Sequence, residues 1–154
     1  MNILILGSGG REHCFAELIS KSKNCEKLFV APGNSGTSLV AENLDISPTD
    51  FDLVKGAIVQ HNIQLVVVGP EDPLVRGIHD FIISDPTLKG VKVIGPKQKA
   101  AQLEGSKDFS KQFMQRHNIP TAKYQSFTKE NLVQGFAFLE TLEAPYVLKA
   151  DGLA

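Results

Sequence analysis

The sequence predicts an α/β fold: a parallel sheet with helices on both sides, followed by a smaller second unit. Three observations carry this. The run QLVVVG at residues 64–69 is β-branched with no polar alternation, as in a strand covered on both faces. Shorter apolar runs recur at residues 2–6, 27–31 and 91–95. Between them lie segments with apolar residues at helical spacing. Strands alternating with helices imply parallel pairing.

The elements follow in order. Asn2–Leu6 is short and rich in Ile and Leu, a buried strand. From Arg11 to about Ser22, Cys14, Leu18 and Ile19 recur near helical spacing. Lys27–Ala31 is a second strand, ended by Pro32-Gly33-Asn34. Phe51–His61 sets Phe51, Val54, Ile58 and Val59 on one helical face. After the strand at 64–69, Pro73 to about Ser84 is a helix and Val91–Gly95 a strand.

The character then changes. Lys97–Leu103 is a short helix. Ser106–His117 is an amphipathic helix presenting Phe109, Phe113 and Met114, with Ser106 as its cap. Tyr124–Phe127 is expected as a strand, Glu130–Leu142 as a helix and Tyr146–Lys149 as a strand. The boundary falls near residues 103–106, giving units 1–103 and 104–154. The second is too short for a comfortable core of its own. It should leave apolar surface uncovered around Phe136, Phe138 and Val147.

Composition narrows the function classes. The chain has 154 residues, 42% hydrophobic and 21% charged, with a formal net charge of -1. That is a globular composition, and no global field draws in nucleic acid or an anionic membrane. No apolar run approaches the roughly 20 residues that span a bilayer. The start MNILILGSGG lacks the basic region of a signal peptide. The expectation is a cytoplasmic protein. Cys14 and Cys25 form no CxxC and no zinc pattern, and are read as reduced thiols.

The first strand runs into Gly7-Ser8-Gly9-Gly10-Arg11-Glu12. A dinucleotide fingerprint is G-x-G-x-x-G at this place. The first two glycines are present, but Glu12 stands at the third. The ribose-binding acid expected at the end of the second strand is also missing, since that strand ends Val30-Ala31-Pro32. Nicotinamide dinucleotide binding is therefore poorly supported. A small phosphate ester suits the turn better: glycines admit an anion, a helix start aims N–H groups at it, and Arg11 adds a forked donor. The turn alone leaves a second reading open, a tight turn with Arg11 in solvent.

Two further turns belong to the same sheet edge. PGNSGT at 32–37 offers Asn34 and Thr37 as neutral hydrogen-bonding groups. GPEDP at 69–73 offers the Glu71 carboxylate, able to grip sugar hydroxyls or an amine. Ligands of doubly wound sheets sit at the carboxyl ends of the strands. Three such turns together favour a phosphorylated, hydroxylated and perhaps cationic small molecule.

GSGGREH, APGNSGT, VVGPEDPLVRG, AAQLEGSKDFSKQF and VLKADGLA follow one another in this order. With them the whole chain resembles the amino-terminal part of the glycinamide ribonucleotide synthetase (phosphoribosylamine–glycine ligase) family of ATP-grasp ligases. The resemblance implies a Rossmann-like pre-ATP-grasp domain, then the first part of an ATP-grasp domain. It implies ATP and Mg2+ as cofactors and three small-molecule substrates: phosphoribosylamine, glycine and ATP. Nucleic acid and membrane are not among the implied partners, and the full enzyme is expected as a monomer.

By the same resemblance, Gly9, Gly10 and Arg11 hold the phosphoribosyl phosphate, and Asn34 and Glu71 contact the ribose or its amine. Lys107 and Lys149 reach the ATP phosphates. Taken alone, Lys107 reads as a solvated residue in a helix's first turn, where a cation is slightly unfavourable. Lys149 alone reads as a surface charge. No residue receives a catalytic role. His13 suits a ligand contact or a local carbonyl equally, Arg76 is read as solvated, and His61, His79 and His117 as surface or partly buried.

The family's glycine-rich loop and magnesium carboxylates are expected beyond Ala154. The chain is therefore read as an amino-terminal fragment without ligase activity of its own. Rival readings are a fragment of another ATP-grasp ligase or carboxylase, and a non-catalytic Rossmann-like nucleotide-binding module.

Overall fold

A computed structural model describes residues 1–152. The chain divides into two compact units, Met1–Ala101 and the residues from Gln102 onward.

The first unit is built on strands β1 (Asn2–Gly7), β2 (Lys27–Pro32), β3 (Glu42–Asn43), β4 (Ile63–Val68) and β5 (Lys92–Ile94). They form one sheet in the order β3-β2-β1-β4-β5, with every pairing parallel. The unit's helices are α1 (Gly10–Ser20), α2 (Phe51–Gln60), α3 (Glu71–Val75) and α4 (Ile78–Ser84), and α5 (Gln98–Gly105) spans the division.

Alternate strand residues feed two cores. Leu4, Leu6, Phe29, Ala31, Val66 and Val68 pack with Val54 and Ile58 of α2 and with Ile78 and Ile82 of α4. Ile3, Ile5, Leu28, Val30 and Val67 pack with Ala16 of α1. Helices thus cover both faces. Leu4, Ile5 and Leu6 are fully buried, each stabilising by about 1.5–3 kcal/mol relative to exposure. This explains the unbroken apolar strands and confirms the α/β expectation.

Three details depart from the sequence reading. β3 was not anticipated: two residues, paired with Phe29 and Val30, are too few to show a pattern. The helix expected over Pro73–Ser84 starts earlier and breaks into α3 and α4 at Gly77, whose φ of 97° lies in the left-handed region. In the second unit, Tyr124–Phe127 and Tyr146–Lys149 are not strands. A strand needs a ladder partner, and neither segment pairs with another among the described residues.

The second unit holds α6 (Lys107–Arg116) and α7 (Leu132–Leu139). Ser106 caps α6, accepting the Phe109 N–H at 3.1 Å. Phe136 and Val147 are exposed. Phe138 is partly buried, with its ring centroid 5.9 Å from that of Phe127. No helix among the described residues is long and apolar enough to cross a membrane.

Candidate anion-binding edge

β1 has β2 on one side and β4 on the other. The connection runs outward from β1 to β2 and β3, then returns to β4 and β5 beyond the other edge of β1. The order therefore reverses between β1 and β4, where a doubly wound sheet opens its ligand crevice. The three turns named from the sequence follow β1, β2 and β4, so parallel pairing sets them at one edge.

Backbone bonds tie the turns together. The Gly33 N–H donates to the Gly7 carbonyl at 3.1 Å, and the Gly69 N–H to the Leu6 carbonyl at 3.1 Å. Asn34 locks the second turn to the first. Its Oδ1 accepts the Gly36 and Thr37 N–H groups at 2.7 and 3.0 Å, and its Nδ2 donates to the Ser8 carbonyl at 2.8 Å. Thr37, fully buried, accepts the Asn34 N–H at 2.7 Å and stands 2.7 Å from Asn43 Oδ1. The Asn34 amide is thus a structural strut as well as a candidate ligand contact.

Gly9 caps α1 in an extended conformation. Its N–H donates to Glu12 Oε2 at 2.7 Å, the reciprocal arm of a capping box. Glu12 is only 4% exposed. Its side chain nests among three glycines: an added Cβ would meet it at 2.6 Å from Gly7 and 2.9 Å from Gly9, and would overlap it from Gly69. Sequence reasoning treated Glu12 as a misfit at the third glycine place. The missed signal was its position three residues after the cap.

The remaining donors face outward. Gly10 opens α1, and nothing lies within 4 Å of where its Cβ would be. The Arg11 side chain is 61% exposed, with Nε 3.5 Å from Glu12 Oε1. Glu71 is exposed at the start of α3, two residues after Gly69. The structure therefore sets Gly9, Gly10, Arg11 and Asn34 around one junction, with Glu71 on the adjoining turn. Arg76 pairs instead with Asp72 at 2.8 Å, and the His13 ring lies against Gly36. The His61 ring lies tilted against Phe29, His79 Nδ1 is 2.6 Å from the Gly95 carbonyl, and the His117 ring lies tilted against Phe113. Cys14 and Cys25 are free thiols, and burial pushes the Cys25 thiol up.

In the second unit the start of α6 already holds an anion. Asp151 Oδ1 accepts the Lys107 and Asp108 N–H groups at 2.6 and 3.2 Å, and Asp151 Oδ2 accepts from the Ser106 hydroxyl at 3.1 Å. These donors, the Asp108 N–H foremost, hold the Asp151 carboxyl below its usual range. Lys107 Nζ donates to the Gly152 carbonyl at 2.5 Å, while Lys149 is exposed. At this helix start the acceptor is a carboxylate of the chain itself. Among the described residues no group of three or more His, Cys, Asp or Glu is placed to hold a metal ion.

An all-parallel sheet covered on both faces, with its order reversing between β1 and β4, defines a doubly wound α/β domain. Comparison with known proteins makes the assignment specific. Residues 1–104 match the family described as phosphoribosylglycinamide synthetase, N domain, and residues 105–154 match its ATP-grasp (A) domain. The chain belongs to the phosphoribosylglycinamide synthetase family.

Relatives named phosphoribosylamine–glycine ligase agree over the whole chain, at 49% identity in Pasteurella multocida and 46% in Escherichia coli K12. The chain spans 35% of the length of each. The crystal structure of phosphoribosylamine–glycine ligase from Thermotoga maritima matches 99% of the chain and 34% of its own, with a TM-score of 0.68 at 28% identity. N5-carboxyaminoimidazole ribonucleotide synthetase from the same organism matches 89% of this chain and 36% of its own, with a TM-score of 0.59 at 19% identity, a likeness of fold alone.

Proposed function

We propose that these residues are the substrate-binding domain, 1–103, and the first part of the nucleotide-binding domain, 104–154, of an ATP-dependent carbon–nitrogen ligase of purine biosynthesis. The enzyme joins glycine to 5-phosphoribosylamine, giving glycinamide ribonucleotide, ADP and phosphate. ATP supplies a phosphoryl group to the glycine carboxylate. The amine nitrogen of phosphoribosylamine then attacks the acyl carbon of glycyl phosphate, the carbon–nitrogen bond forms, and phosphate leaves with the carbon–oxygen electron pair.

The observation that carries the reading is the convergence of the three turns on the N-terminus of α1, with Arg11 exposed there. In this reading the 5-phosphate sits over the start of α1, at the Gly10 and Arg11 N–H groups and the Arg11 guanidinium. Gly9 keeps the backbone open to the phosphate while its own N–H serves Glu12. Asn34 holds the second turn and offers its amide edge to the ribose, and Glu71 meets the sugar or the amine. Lys107 and Lys149 serve the ATP phosphates, which requires Lys107 to leave the Gly152 carbonyl. The described residues offer no carboxylate cluster for Mg2+, so no step is assigned to the ion here. Small molecules are the only partners in this reading, and the full enzyme is a cytoplasmic monomer.

Calorimetric titration with ribose 5-phosphate and with ribose tests the site. Ribose 5-phosphate stands in for the unstable amine. It should bind and ribose should not; equal behaviour of the two would overturn the phosphate assignment. The 154-residue chain, a third of its relatives' length, should release no ADP from ATP in a glycine- and phosphoribosylamine-dependent manner.

A further inference from the structure

We infer that Glu12 is a specificity-determining residue: it closes the crevice in which a dinucleotide's diphosphate would lie and reserves the glycine turn for a terminal monophosphate. The inference rests on the sugar-phosphate reading of that turn.

The crevice at the β1–β4 reversal is lined by Gly7 and Gly69, and the Glu12 side chain occupies the space that both leave open. In a dinucleotide-binding turn the second glycine, Gly9 here, lets the backbone approach the diphosphate. Here the Gly9 N–H is already taken by Glu12 Oε2 at 2.7 Å. Capping does not require this arrangement, because an exposed glutamate would cap as well. Glu12 is buried, and its Oε1 accepts no hydrogen bond. Such a group costs stability, so its burial calls for another reason. A carboxylate in the crevice repels a second anion there. Arg11 Nε stands 3.5 Å from its Oε1. Diphosphates are thus excluded by bulk and by charge, while the outer rim of the turn stays open to a single phosphate.

The test uses the 154-residue chain with Glu12→Ala and Glu12→Gln, titrated with ribose 5-phosphate and with ADP-ribose. Glu12→Ala removes bulk and charge and completes the G-x-G-x-x-A form of the fingerprint. It should gain at least about tenfold in ADP-ribose affinity, the scale of one lost repulsive contact. Glu12→Gln keeps the shape and an oxygen for the Gly9 N–H, so its fold is secure. It should gain a smaller amount, about threefold. Lys107 and Lys149 are the same in all three proteins, so nucleotide held there cancels in the comparison. Folded variants that gain no affinity for ADP-ribose overturn the inference. Failure of the wild-type chain to bind ribose 5-phosphate instead overturns the sugar-phosphate reading, and leaves the ADP-ribose comparison to decide the role of Glu12.

Discussion

Gly69 and Glu12 are fitted to each other: a Cβ on Gly69 would overlap the Glu12 carboxylate. With no side chain at position 69, the turn after β4 lies directly against the Glu12 side chain of the turn after β1. Gly69→Ala should therefore destabilise the first unit by about 1–3 kcal/mol, as overpacking does. Urea unfolding measures the loss. Combined with Glu12→Ala, the cost should be less than the sum of the two single changes, because the clashing atoms are gone. Strict additivity would deny the contact.

Gly10 separates folding from binding. A methyl group there meets no protein atom, and alanine is the better helix residue by up to about 1 kcal/mol. Gly10→Ala should unfold at the same or higher denaturant concentration, yet bind ribose 5-phosphate about tenfold or more weakly, because the methyl group stands where the phosphate approaches. Unchanged affinity would move the ligand away from the start of α1.

Acid stability should report the Lys55–Asp85 pair, 2.6 Å apart. Lys55 foremost, with Thr87, lowers the Asp85 carboxyl to about 2. A depressed folded-state value stabilises above the unfolded-state value, near 3.9, and the contribution is lost as pH falls through 2. The melting-temperature gap between wild type and Asp85→Asn should be constant above about pH 5 and shrink between about pH 4 and pH 2. A gap independent of pH would remove the pair from the account.

Asp151 should protect the start of α6. Its Oδ1 accepts the Lys107 and Asp108 N–H groups. In Asp151→Ala, hydrogen exchange at those two amides should accelerate while amides of β1 and β4 are unaffected. Equal exchange in both proteins would mean that the cap does not hold in solution.

The sheet was legible because β1, β2 and β4 are largely buried and so lack polar alternation, while β5, partly exposed, still carries Val93 and Ile94. β3 was not, because two residues set no period. Gly77 hid a helix break inside an apolar pattern, since a left-handed φ has no hydrophobic signature. The site was legible in its glycines and in Arg11, which carry chemistry in their types. Two functions of its polar residues were not. Asn34 looked like a free amide and holds two turns together, and Glu12 looked like a defect and fills the crevice. The role of Asn34 depends on contacts between turns 25 or more residues apart in sequence, which no local pattern encodes; that of Glu12 joins a local cap spacing to a distant contact with Gly69.

The central claim is that the turn after β1 binds the phosphate of a sugar phosphate through Arg11. Calorimetric titration of the chain and of Arg11→Ala with ribose 5-phosphate tests it most directly. The account predicts binding by the wild-type chain and a loss of about 2 kcal/mol on substitution, the size of a charge-assisted hydrogen bond. Equal affinity of the two proteins would contradict it.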